Sequence, residues 1–264
     1  MILAILSYPK NYHITQVAIR HAIKYIPNIT EVAIIWDDSH PEKPLAPLNQ
    51  VMRLPIPCYS YSWSALPNIE YDGNNWAGQQ LIKLHMDLLI PSEDFIIFDG
   101  DLILNQPIDP ANILYSSNIP QTHGRYDHVA ELLGLGVYEF STCPMMYVKA
   151  QWLRNIRKLC ETNCHTTIDK KLLSAFNKAQ SVNQTNWLTE WNVIARYQLQ
   201  VLKLPRKIEY FHRHWIKGPV LHQFYNNEEN FVINGPDDID LSFYRKELVS
   251  IDRKLLADLN YKNR

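Results

Sequence analysis

Two carboxylates separated by a single glycine, Asp99-Gly100-Asp101, follow the apolar run Phe95-Ile96-Ile97-Phe98. Like charges this close repel, so they coexist mainly when a cation sits between or beside them. The glycine lets the backbone turn tightly and a ligand approach. Hard oxygen donors of this kind suit Mg²⁺ or Mn²⁺, and an added imidazole biases such a site toward Mn²⁺. His212 and His214 are the candidates for that imidazole: two apart on an apparent strand, they share one face, with Arg213 opposite. His222 is a third choice. The same residues also read more plainly, as an Asp-Gly turn closing a hairpin and as a charged surface strand.

Glu190 lies between Trp187 and Trp191. Apolar neighbours raise the pKa of a carboxyl group toward working pH, which suits a general base that takes a proton from a hydroxyl. Thr189-Glu190 also reads as a helix N-cap followed by a first-turn acid. Gln79 and Lys83 are four apart and share a helical face, as functional residues or as a solvated surface. Asp37 and Asp38 end an apolar run, where they serve either a ligand or a helix cap and loop salt bridge.

These residues need elements to hold them. Residues 2–6 form a short continuous apolar run, 14–26 repeat apolar residues with a helical period, and 32–36 form a second apolar run. That βαβ unit predicts a parallel sheet. Residues 40–68 hold six of the sixteen prolines and are mainly loop, with a short strand expected over 51–56. Residues 76–90 read as a helix stopped by Pro91, and 95–98 as the next buried strand. Further on, 142–148 is expected to be a strand, 152–160, 172–178 and 187–197 helices, and 201–204 and 208–211 short strands. A helical tail is expected over 241–259.

The chain has 264 residues, which at about 150 per domain is one large domain or a domain with an appendage. Hydrophobic residues at 46% and charged residues at 20% exclude a disordered chain and a coiled coil. With 26 Lys+Arg against 27 Asp+Glu, no global field selects nucleic acid or an anionic membrane. The basic-aromatic run over 203–217 is the only local hint of a polyanion. Four cysteines do not make a disulfide framework, and no apolar stretch is long enough to span a membrane, so a cytoplasmic protein is expected.

The Asp99-Gly100-Asp101 segment, after a hydrophobic strand and a βαβ start, resembles the Asp-x-Asp motif of GT-A-fold glycosyltransferases. Gln79-Gln80-Leu81-Ile82-Lys83-Leu84 and Thr189-Glu190-Trp191 are similar to segments of a group of bacterial and viral members. The resemblance covers roughly residues 1–220. It implies an α/β fold with a central, mostly parallel twisted sheet flanked by helices: a GT-A-like domain over 1–225, whose first half (1–104) binds the nucleotide sugar and second half (105–225) the acceptor, with a C-terminal helical tail over 226–264.

It further implies a nucleoside-diphosphate sugar donor and Mn²⁺ or Mg²⁺ on Asp99 and Asp101, joined by His212 or His214. Lys217 and Lys83 would meet phosphate or sugar with Gln79 orienting, Asp37 and Asp38 the base or ribose, and Glu190 the acceptor proton. The acceptor would bear a hydroxyl: a glycan, a lipid-linked sugar or a modified DNA base. Two rival readings stand beside it. One is a haloacid-dehalogenase-type phosphatase with Asp99 as nucleophile, against which count the late position of the motif and Ile103 where Thr or Val is usual. The other is a non-catalytic nucleotide-sugar-binding module. A sugar-nucleotide pyrophosphorylase would need a glycine-rich loop after the first strand, which Ser7-Tyr8-Pro9-Lys10-Asn11-Tyr12 does not supply.

Overall fold

A computed structural model describes residues 1–7, 12–36, 54, 56–66, 75–100, 102–104, 107–117, 127–136, 145–181, 189–211 and 220–223. Its centre is a five-stranded sheet in the order β3-β2-β1-β4-β7. Here β1 is Ile2–Ser7, β2 Glu31–Trp36, β3 Cys58–Ser62, β4 Asp94–Asp99 and β7 Met145–Lys149. The first four run parallel, and β7 lies antiparallel against β4. Two small ladders complete the strands: β5 (Leu102–Leu104) with β9 (Val220–Gln223), antiparallel, and β6 (Ile113–Ser117) with β8 (Lys207–Phe211), parallel.

Alternation along the strands divides the core in two. Leu3, Ile5, Val32, Ile34, Ile96 and Phe98 face helix α1 (Tyr12–Tyr25), which contributes Ala18, Ile19 and Ala22. Ala4, Leu6, Ala33, Ile35, Phe95 and Ile97 belong to the larger cluster on the other face, built with helices α2 to α6. These are α2 (Asn75–Lys83), α3 (Asp127–Leu133), α4 (Ala150–Cys164), α5 (Ile168–Ser181) and α6 (Glu190–Arg196). A central sheet covered on both faces explains why β1, β2 and β4 read as unbroken apolar runs.

Two expectations are corrected; the strand expected over 51–56 lies largely outside the described residues, and an edge strand is found after it. The third strand is Cys58–Ser62. Its alternating polar sequence reflects its place at the sheet edge, where no continuous apolar run is required. Helix α2 ends at Lys83 and is followed by a turn and a 3₁₀ segment over Met86–Leu88. Side chains take the last carbonyls: His85 Nδ1 donates to Leu81 O at 2.8 Å, and Arg157 of α4 donates to Leu84 O at 2.6 Å while also gripping Asp87. Those bonds replace the amides that a continuing helix would supply. Finally, 201–204 is not a strand. Helix α6 runs on into a π-helical turn over Tyr197–Val201, and Leu202 N then donates to Tyr197 O at 2.9 Å. The tail expected over 226–264 lies outside the described residues.

Candidate functional site

The strand order reverses beside β1: β2 and β3 extend the sheet to one side, β4 to the other. In open α/β sheets, ligands bind at the carboxyl ends of the strands at such a switch point. Asp99 sits there, as the last residue of β4, in register with Leu6 of β1. The Asp-Gly segment does not close a hairpin, because β4 lies between β1 and β7 whereas β5 pairs with β9. That leaves the turn available for another purpose. Gly100 also has a steric reason: a Cβ there would lie 2.8 Å from Leu6 O and 3.1 Å from Thr15 Oγ1.

Counting along β4, Asp99 falls on the same face as Phe95 and Ile97, toward α2 and α6. Lys83, the last residue of α2, reaches it there: Nζ lies 2.5 Å from Asp99 Oδ1 and 2.8 Å from Glu190 Oε1. The ammonium also lies 4.2 Å from the centre of the Trp191 ring, a cation–π distance. An ammonium has three N–H donors, and this one has two carboxylates and an aromatic face around it. The arrangement forms a column from edge to interior, with side-chain exposures of 16% for Asp99, 3% for Lys83 and 0% for Glu190.

Glu190 arrives through helix α6. Thr189 caps it, its hydroxyl accepting from Asn192 N at 3.3 Å, so the plain N-cap reading of Thr189 holds as well. The backbone N–H of Glu190 donates to Gln80 Oε1 at 3.3 Å. Helix α2 therefore holds the first turn of α6 twice, through Gln80 and through Lys83. Burial pushes the Glu190 carboxyl above its ordinary range, only partly offset by Lys83, and Asp99 adds to the rise. Burial alone would lower the Lys83 ammonium, but the carboxylates of Asp99 and Glu190 outweigh it and hold the lysine protonated. Glu190 Oε2 is buried with no hydrogen-bond partner among the described residues.

Of the residues expected from sequence, Lys83, Asp99 and Glu190 come together. The solvated-face reading of Lys83 fails, since it is buried. Gln79 is half-buried, and its neighbour Gln80 makes the contact with Glu190 instead. Trp191 is a further residue of the site; its adjacency to Glu190 was the available signal. Asp37, Asp38, Asp101, His212, His214 and Lys217 lie outside the described residues. His222 is placed on β9, in register with Ile103 of β5.

Among the described residues no group of three or more His, Cys, Asp or Glu is arranged to hold a metal ion. Asp99 nevertheless has the right chemistry for a hard divalent cation: a carboxylate, partly exposed, at the switch point. Cys160 and Cys164 are free thiols, and burial pushes the Cys160 thiol up to about 12. No helix among the described residues is long and apolar enough to cross a membrane.

Residues 62–220, which include Lys83, Asp99 and Glu190, match the model of a family described as a family of unknown function, DUF6492. No curated protein matches the chain.

Proposed function

We propose that this chain, which belongs to the DUF6492 family of unknown function, is a metal-dependent glycosyltransferase of the GT-A kind, moving a sugar from a nucleoside-diphosphate sugar to a hydroxyl acceptor. The observation that carries the reading is the buried Asp99–Lys83–Glu190 column at the sheet's switch point. Three ionisable residues from β4, α2 and α6 converge there. Burying the Glu190 carboxylate and the Lys83 ammonium beside a partly exposed Asp99 is costly, and a fold that needed only packing would gain as much from apolar side chains.

In this reading Asp99 and Asp101 would hold Mn²⁺ or Mg²⁺, joined by His212 or His214. A divalent ion held there would supply Lewis-acid stabilisation to the departing diphosphate. Lys217 meets phosphate, Gln79 helps orient phosphate or sugar, and Asp37 and Asp38 accept from the donor's base or ribose hydroxyls. Lys83 acts here as a buried counter-charge that fixes Asp99, rather than as a direct phosphate ligand, because its donors are already engaged. Glu190 Oε2 takes the acceptor proton as the hydroxyl oxygen bonds to the anomeric carbon. The sugar–phosphate bond breaks, and its electron pair leaves with the nucleoside diphosphate. Since Glu190 is fully covered, the acceptor must displace its cover to reach it. A glycan or lipid-linked sugar is the favoured acceptor, with a modified DNA base as the alternative.

A panel of nucleotide sugars, screened with Mn²⁺ by thermal unfolding and donor hydrolysis, tests the proposal. A cognate donor at 100 times its Kd stabilises the protein by about 2.7 kcal/mol and is slowly hydrolysed. A panel in which no donor shifts the transition or is hydrolysed argues against it. Stabilisation without hydrolysis or transfer to any acceptor points to the binding module.

A further inference from the structure

The Lys83 ammonium lies against the carboxylate to which the proposed function gives a metal ion. It contacts Asp99 Oδ1 at 2.5 Å, so any divalent cation bound by that carboxylate is adjacent to a fixed positive charge. Lys83 cannot swing into solvent without leaving a buried site in which Glu190 and Trp191 also hold it.

We infer that Lys83 is a resident cation that occupies Asp99 in the metal-free protein and opposes divalent-ion binding there. This rests on the reading of Asp99 as a metal ligand. It adds that Mn²⁺ binds the free protein weakly, and that tight binding requires the negative charge of a diphosphate alongside it. The device favours assembly of ion and donor together and disfavours an ion-loaded empty site. The physical reason is repulsion between like charges at short range, where protein screens less than water.

The test uses Mn²⁺ alone, titrated into the full chain and followed by electron paramagnetic resonance of the free ion. The double variant Lys83→Met/Glu190→Gln loses one positive and one negative group, so its formal charge equals that of the wild type. The expected result is Mn²⁺ affinity raised at least tenfold in the double variant. Lys83→Arg, again at unchanged formal charge, keeps a cation on Asp99 and leaves the affinity at or below wild type. Thermal unfolding of each variant establishes that it is folded, and Lys83→Arg carries the test if the double variant is not.

Asp99→Asn separates the two ideas. Binding that Asp99→Asn abolishes, yet that is equal in the wild type and the double variant or tighter in Lys83→Arg, overturns the resident-cation inference and leaves the metal site standing. Binding that Asp99→Asn does not change, or no binding by any variant, removes Asp99 from metal duty and with it the reading on which the inference rests.

Discussion

Replacing Lys83 by Met destabilises the fold by about 3–5 kcal/mol, the cost of removing one partner from a buried ion pair. Its side chain is 3% exposed, and its loss leaves the Asp99 and Glu190 carboxylates without the ammonium that joins them. The loss is large because desolvation of Glu190, which has no water contact, is no longer offset by a nearby charge. Adding Glu190→Gln to Lys83→Met recovers about half of it, because a neutral amide is cheaper to bury than a carboxylate. Urea unfolding of the wild type, both single variants and the double variant measures the coupling, expected to exceed about 1 kcal/mol.

The pH dependence has a definite sign. A Glu190 pKa raised above its ordinary 4.5 means that the folded protein binds more protons than the unfolded chain. Its contribution is therefore fully present below that pH and is lost as pH rises. In Lys83→Met, where nothing offsets the desolvation of Glu190, stability falls more steeply with rising pH than in the wild type. Additive variants with unchanged pH dependence would mean that Lys83 and Glu190 do not act as a unit.

The second large effect is on catalysis. If the proposed glycosyltransferase reading holds, Glu190→Gln lowers sugar transfer by about 100-fold or more, the range for loss of a general acid–base group. At saturating Mn²⁺ and donor, the donor-dependent rise in melting temperature remains. Gln keeps a carbonyl oxygen to accept from Lys83, so the column persists while the basic oxygen is lost. Single-turnover transfer beside thermal unfolding separates the two roles. Lost donor stabilisation would move Glu190 to the donor site, and full transfer activity would remove it from proton transfer.

Much of this was legible in the residues. Buried strands announce themselves as apolar runs, and β1, β2 and β4 stand where the runs at 2–6, 32–36 and 95–98 place them. Acidic residues leaving such a strand mark its carboxyl end, which is why Asp99 was identifiable. Lys83 and Glu190 were identifiable as residue types, but their contact, across more than a hundred positions of sequence, depends on how α2 and α6 pack. The choice between Gln79 and Gln80 illustrates the same limit. Both lie within a turn of Lys83, and only the position of α6 decides that Gln80 receives the Glu190 N–H. Strand β3 carries no such mark in the sequence, because an edge strand with polar alternation gives little apolar signal. The early end of α2 depended on Arg157, a residue far along the chain whose guanidinium takes a carbonyl no local pattern could assign.

The most direct measurement is anomalous scattering at the manganese edge from crystals grown with Mn²⁺ and the nucleotide sugar selected by the donor screen. The account predicts a peak within bonding distance of the Asp99 carboxylate and of the donor's diphosphate oxygens, with Lys83 still enclosed behind them by Glu190 and Trp191. A manganese peak on the diphosphate that avoids Asp99, or a donor lodged away from the carboxyl ends of β1 and β4, would contradict it.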